Sequence, residues 1–249
     1  MVRPVWHYRW VPADPLYLRD ARLATFESEV TGVDADGRVA LAATAFYATG
    51  GGQPHDTGRL EWDGGAASVV DVTKSEGEHW HALDGAAPAI GQRLTGTLDW
   101  ERRHQLMRTH TALHILCGVI WNEWEKPVTG GNMEPLKARM DFEFNPLPEG
   151  FAERVEQMVN DEIAADRPIE VSFMPRAEAV LDDALIRTKV SLVPESVTEL
   201  RIVDIVGLDK QADGGTHVAS TGEVGGLRVV KSESKGKGFR RLRVEIVDP

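Results

Sequence analysis

Asp99-Trp-Glu-Arg-Arg-His-Gln-Leu-Met-Arg-Thr-His-Thr-Ala-Leu-His-Ile-Leu-Cys-Gly-Val-Ile-Trp121 is the stretch around which the chain is organised. It reads as one amphipathic helix: Asp99 suits an N-cap, Glu101 complements the dipole in the first turn, and Pro127 closes the far end. His110 and His114 are four apart, so α-helical geometry stacks their imidazoles on one face, where they can converge on a single metal ion. Leu106, Leu113, Cys117, Ile120 and Trp124 share that face at helical spacing, which turns it toward the interior. A bare His-x-x-x-His also fits two core histidines satisfied by backbone carbonyls, so a second piece of chain has to decide between the readings.

That piece is Gln211-Ala-Asp-Gly-Gly-Thr-His-Val-Ala-Ser-Thr-Gly-Glu-Val-Gly225, a glycine-rich turn after a strand-like run from Leu200 to Val206. Asp213 and His217 lie four apart within it. The helical histidine pair followed by Gly-Gly-Thr-His-Val-x-x-Thr-Gly-Glu resembles the editing domain of alanyl-tRNA synthetases and their free-standing relatives, the alanyl-tRNA editing proteins. At one position the chain departs from that pattern, because Asp213 stands where the family usually has cysteine. The resemblance implies one zinc ion held by His110, His114, Asp213 and His217, with the three histidines at the catalytic centre. Three nitrogens and one oxygen make an acceptable tetrahedral set, or a three-ligand set with an open position if one drops out. A carboxylate is a harder ligand than a thiolate, so zinc should be held less tightly and exchange more readily with other divalent ions.

At 249 residues and 42% hydrophobic content the chain is long enough for two domains with their own cores. It has no apolar run of eighteen residues, and Met-Val-Arg-Pro-Val-Trp-His-Tyr at the start lacks a signal-peptide core, so a soluble cytoplasmic protein without membrane contact is expected. The single cysteine, Cys117, excludes an intramolecular disulfide and reads as a small buried hydrophobe, with a further ligand role as the alternative. A formal net charge of −11 argues against a coat of phosphate-binding cations, so any RNA contact must be local. Between Arg228 and Arg243 seven cations face one acid, Glu233, which reads either as a solvated hairpin or as an RNA strip.

Residues 1–98 read as short strands punctuated by Gly, Asp and Pro, with alternation in Arg38–Phe46 and Ala67–Val72, and a small β-barrel or sandwich is expected. Leu16–Val30 fits strands or a helix equally. Phe46-Tyr-Ala-Thr-Gly-Gly-Gly-Gln-Pro-His-Asp-Thr-Gly58 contains three glycines that leave backbone amides approachable, suited to a phosphate or an RNA end, or to a wide turn. It also resembles the glycine motif of the longer editing proteins, whose extra N-terminal barrel would extend the likeness over nearly the whole chain.

The fold class is therefore α+β: an N-terminal barrel over 1–98, then an editing domain over 99–249 with an antiparallel sheet and the central metal-binding helix. Pro127–Met133 reads as a turn, Lys137–Phe144 as a strand and Glu149–Asp166 as a packing helix. Pro168–Phe173 reads as a strand, a short helix runs through Ala177 to Ile186, and Gly226–Val230 with Arg240–Val247 completes the sheet.

An aminoacyl-tRNA is an activated ester, whose hydrolysis needs a positioned water and oxyanion stabilisation more than a covalent nucleophile. No G-x-S-x-G elbow is present, so a metal-centred site is the better expectation. The resemblance implies removal of serine, with glycine a further candidate, from mischarged alanine tRNA. Thr111, Thr129, Asn132 and Thr216 are the polar residues placed near the aminoacyl group. Gly50, Gly51, Gly52, Gln53, Lys231, Lys235, Lys237, Arg240 and Arg241 are the candidates for contacting tRNA. No activation domain fits in this length, so ATP is not expected. Two other readings remain open at this point: editing of threonyl- or another aminoacyl-tRNA, and a non-catalytic RNA-binding relative that lost its metal with the cysteine.

Overall fold

The computed structural model describes residues 14–179, 185, 198–236 and 238–248. The chain divides into two compact units: one comprises residues up to Tyr17, Arg22–Ala48 and His55–Asp99, and the other Leu18–Ala21, Thr49–Pro54 and everything from Trp100 onward. The sequence boundary near residue 98 thus has two exceptions, and the glycine stretch is one of them.

In the first unit, β1 (Asp14–Pro15) pairs in parallel with β4 (Ala43–Thr44). The other strands are β2 (Thr25–Val33), β3 (Val39–Leu41), β5 (Gly58–Trp62), β6 (Gly65–Ser75), β7 (Glu78–Asp84) and β8 (Arg93–Leu98). They close into a six-stranded barrel in the order β2-β3-β7-β6-β5-β8, which leaves no open edge. Phe26 and Val30 on β2 point inward with Leu41, Phe46, Leu60 and Leu94. Val69 and Val72 are three apart yet both buried, because a register shift between Val69 and Asp71 changes which residues face the core. Gly96 lies opposite Phe26, where a Cβ would come within 2.5 Å of the ring; its bareness gives the phenyl its place. The run Arg38–Phe46, read as one alternating strand, is divided between β3 and β4, and Leu16–Val30 resolves into a 3-10 turn at Leu16–Leu18 and the start of β2.

Two of the described histidines in this unit are buried. His81 bonds the Val39 carbonyl at 3.0 Å through Nδ1 and the Thr44 hydroxyl at 2.9 Å through Nε2, and His79 meets the Tyr17 hydroxyl at 3.0 Å. Burial drives both from 6.5 down to about 4, with the Lys74 charge and then His81 adding to the effect at His79. The unfolded chain takes up these protons near 6.5 while the folded chain resists until about 4, so their contribution is complete above the higher value and is lost as pH falls toward the lower one. The difference is worth about 3 kcal/mol for each histidine. The urea midpoint should therefore fall steadily across that window, and the imidazole resonances of both residues should stay in the neutral form down to about pH 5; a flat midpoint would contradict it.

The second unit holds α1 (Trp100–Trp124), β9 (Val128–Glu134), β10 (Lys137–Glu143), α2 (Phe151–Ala164), β11 (Ile169–Pro175), α3 (Arg176–Ala179), β12 (Glu199–Ile205), β13 (Asp209–Ala212), β14 (Gly226–Ser234) and β15 (Phe239–Val247). The expected single sheet is two: β14-β15-β10-β9 and β11-β12-β13. Pro127–Met133, read as a turn, is mostly strand β9. Gly130 and Gly131 lie opposite Asp141 and Met140 on β10, and their backbones make the ladder without side chains. Of the short helix expected through Ile186, α3 is the described part, and the rest lies largely outside the described residues.

Helix α1 differs from its sequence reading as well. Every residue from Leu106 to Ile120 is buried, so the middle of the helix has no polar outer face. Its core partners come from β10 and β15 (Phe142, Leu242, Val244), α2 (Val155, Val159) and the later loops (Leu208, Val218). The polar side chains within it are satisfied locally. Arg108 donates to the Val224 and Val247 carbonyls, each at 2.9 Å, and Arg103 to the Ala21 carbonyl at 2.8 Å; the Thr109 hydroxyl donates to the Gln105 carbonyl at 2.7 Å and accepts from the Leu136 amide at 2.9 Å. Satisfying buried polar groups in this way is what allows a charged sequence to form a central helix.

Candidate metal centre

Four side chains converge at the middle of α1. His110 and His114 project from adjacent turns, and Asp213 and His217 come from the turn that leaves β13, so that one donor atom from each lies within 4.8 Å of all the others. The Asp213 carboxylate is 3.1 Å from His217 Nε2 and 3.7 Å from His110 Nε2. Tetrahedral zinc with bonds of about 2.1 Å spaces its donors roughly 3.4 Å apart, so these two separations bracket what such an ion needs. The imidazoles of His110 and His217 stack with centroids 4.5 Å apart, and His114 stands edge-on to both.

Charge and protonation match that use. Burial is the main cause that pushes His110, His114 and His217 below the ordinary imidazole value, most strongly for His217, and the Asp213 carboxylate only partly opposes it. Burial also disfavours an ionised Asp213, but His110, the His217 hydrogen bond and His114 outweigh it and hold the carboxyl well below its usual range. Three neutral imidazoles and one carboxylate are the donor forms a metal ion requires.

The surrounding residues fix the orientation of the donors. His110 and His217 present Nε2 to Asp213, and each of the three histidines has a polar neighbour at Nδ1. Gln53 Oε1 lies 3.0 Å from the His110 nitrogen, the Thr111 hydroxyl 3.1 Å from that of His217, and the Asp209 carboxylate 3.8 Å from that of His114. The hydrogen-bonded partners behind His110 and His217 are of the kind that set a ligand ring's tautomer and raise its basicity, while Asp209 adds a negative charge behind His114. The turn itself is held by Arg201 on β12, whose Nη1 donates to the Asp213 and Gly215 carbonyls at 3.0 and 2.9 Å.

The remaining candidates are placed as follows. Thr111 and Thr216 are fully buried, and their hydroxyls meet His217 and Gln53. Thr129 is half-buried on β9 and donates to the Asp141 carbonyl, while Asn132 on the same strand is exposed. Gly50, Gly51 and Gly52 are exposed; Gln53, next in the chain, is 1% exposed and turned inward. Lys231 pairs with Glu233, and Lys235 and Arg241 both pair with Asp141, a buried carboxylate that the Arg241 hydrogen bonds chiefly bring down to about 2. Arg240 is half-buried on β15, and Lys237 lies outside the described residues. Cys117 is buried beside the Gln211 amide and, among the described residues, belongs to no candidate ligand group.

Gln53, Asp209 and Arg201 were missed as parts of this centre. The clue for Asp209 was an acid two residues from Gln211 at the head of the short strand that delivers Asp213; Arg201 sits in an apolar strand with nothing to distinguish it from an edge cation.

Comparison with known proteins agrees with this architecture. Residues 200–243 match the family model described as the Threonyl and Alanyl tRNA synthetase second additional domain, and residues 8–102 match that of tRNA synthetases class II (A). The chain is 35% identical to the alanyl-tRNA editing protein AlaX-M of Methanosarcina barkeri, over 94% of this chain and 99% of the relative. It is 36% identical to the AlaX-M protein of Saccharolobus solfataricus, over 92% and 97% of the two chains. The alanine–tRNA ligase of Pyrobaculum calidifontis is 38% identical over 91% of this chain, which spans 26% of that enzyme. Similarity at this level along the full length of the free-standing relatives places the chain in a family: it belongs to the alanyl-tRNA editing proteins of the AlaX-M type.

Proposed function

We propose that this protein is a trans-editing hydrolase that cleaves the ester of mischarged alanine tRNA, with serine as the preferred amino acid and glycine a second substrate. The buried three-histidine, one-aspartate cluster on α1 carries the reading, because no other group of this kind occurs among the described residues. His110, His114, Asp213 and His217 would hold one zinc ion. A bound zinc supplies Lewis-acid charge for ester hydrolysis.

The chain's own residues do the positioning. The buried middle of α1 and the buried residues 215–218 of the turn shield the cluster from bulk water and so strengthen the polar interactions inside. Thr129 and Asn132 on β9 are the side chains suited to reach a serine hydroxyl, with Thr111 and Thr216 acting through His217 and Gln53. A pocket that hydrogen-bonds a hydroxyl rejects the analogue lacking it by far more than an apolar pocket rejects an added hydroxyl, which favours serine over alanine. The exposed backbone of Gly50–Gly52 is suited to the end of the acceptor strand, and Lys231, Lys235, Arg240 and Arg241, with Lys237, to its phosphates. ATP has no part in this hydrolysis.

The test is metal analysis of the purified protein followed by deacylation of Ser-tRNA(Ala) with and without a chelator. Stoichiometric zinc and chelator-sensitive release of serine are expected. RNA binding with neither metal nor turnover would favour a non-catalytic relative, and faster release from threonine tRNA would move the substrate assignment. No described helix is long and apolar enough to cross a membrane.

A further inference from the structure

The Thr49–Pro54 segment groups with the second unit although barrel strands flank it in sequence, and its one buried polar side chain is Gln53. The hydrogen bonds of that side chain determine its orientation. Oε1 lies 3.1 Å from the Thr216 backbone nitrogen, which can only donate, so this atom must be the carbonyl oxygen and not the amide nitrogen. Nε2 then donates to the Thr216 hydroxyl at 2.9 Å. The same oxygen sits 3.0 Å from His110 Nδ1, and an acceptor there requires the proton on Nδ1, leaving the Nε2 lone pair directed at Asp213 and His217.

We infer that Gln53 is a positioning residue of the editing centre: it locks His110 in the Nδ1–H tautomer and ties that histidine to the turn bearing Asp213 and His217. The inference deepens the metal-centre reading above and rests on it for its functional consequence. The glycines ahead of Gln53 serve this role physically. Gly51 and Gly52 adopt φ of 56° and 88°, and the Gly52 carbonyl accepts from the Met133 amide on β9, so the loop reverses tightly enough to send Gln53 inward while Gly50–Gly52 stay exposed. One short loop would thus present its backbone to the RNA end and its next side chain to a ligand histidine.

The test uses the full-length protein in three forms: unaltered, Gln53→Met and Gln53→Glu. Methionine keeps the length and removes all three hydrogen bonds, whereas glutamate keeps an acceptor for His110 Nδ1 and the Thr216 amide. Imidazole nitrogen NMR of the metal-free protein should show His110 protonated on Nδ1 in the unaltered and Gln53→Glu forms and a tautomer mixture in Gln53→Met. Zinc affinity measured by chelator competition should fall about 10–100-fold in Gln53→Met and recover in Gln53→Glu. Protonation of His110 on Nε2 in the unaltered protein would overturn the inference, as would a Gln53→Met protein with unchanged tautomer and affinity. Should Gln53→Met fail to fold, the tautomer in the unaltered and Gln53→Glu forms decides. A protein that takes up no zinc yet shows the tautomer change would remove the metal reading and leave the Gln53 role standing; zinc uptake indifferent to Gln53 would do the reverse.

Discussion

Replacing His114 with alanine is expected to abolish serine release from mischarged alanine tRNA while the protein stays folded. His114 occupies the middle of α1, and its removal leaves three of the four donors of the cluster, so the ion-sized gap loses one wall. Losing a single preorganised electrostatic contributor at an acyl-transfer centre costs roughly 10²–10³-fold in rate, and a broken ligand set should cost at least that. The fold should tolerate the change. Alanine improves helix propensity by a few tenths of a kcal/mol, and Asp209 behind the ring keeps its hydrogen bond from Gln211. His104 provides the control from the same helix: it stacks on Trp100 and lies outside the cluster, so His104→Ala should retain turnover. Multiple-turnover deacylation and thermal melts of both variants check this. Full activity in His114→Ala would take α1 out of the mechanism.

The parts of this molecule that could be read from sequence are those where a local rule coincides with the tertiary outcome. The four-residue spacing of His110 and His114 means one thing on any helix, and the resemblance carried by the Asp213–His217 turn supplied the other two, so the grouping of these four side chains was legible before any contact was known. Strand alternation similarly exposed β6 and β10. The failures have the opposite character. β9 was hidden because Gly130 and Gly131 have no strand propensity; only their pairing with β10 makes them a strand. The burial of the middle of α1 on all sides was hidden because Arg103, Arg108 and Thr109 look like a solvent face until their partners, Ala21, Val224, Val247 and Leu136, are brought beside them by chain distant in sequence. The tie between the last hairpin and β10 was hidden as well, because Lys235 and Arg241 converge on Asp141, about a hundred residues earlier in the chain. Gln53 was hidden in the same way, since a glutamine after three glycines looks like a loop residue until His110 and Thr216 are found around it.

The paired glycines of the Asp213-Gly-Gly-Thr-His217 turn offer a sharper discrimination than any ligand substitution, because they look equivalent in sequence and are opposite in space. A Cβ on Gly214 meets nothing within 4 Å, and the residue is exposed. A Cβ on Gly215 would lie 2.1 Å from His110 Cε1, 2.3 Å from His110 Nδ1 and 2.9 Å from Gln53 Oε1. Unbonded carbons settle at about 3.5–4.0 Å, so this methyl and the imidazole cannot share the space. Either the His110 ring swings out of the cluster or the turn carrying Asp213 and His217 retreats from α1, and both separate the donors. Gly215→Ala should therefore lower zinc affinity by more than the roughly 10–100-fold that follows from losing a partner behind a ligand. It should also reduce deacylation to near the uncatalysed rate and cost about 1–3 kcal/mol of stability through overpacking. Gly214→Ala should change none of these, because the same methyl one residue earlier points into solvent. The comparison isolates the approach of the turn to α1 from any general effect of stiffening a glycine pair, since both substitutions restrict the backbone similarly and only one meets the ring. Equal zinc affinity in the two variants would mean that the 213–218 turn does not close on His110 in solution, and the four donors would then have no common centre.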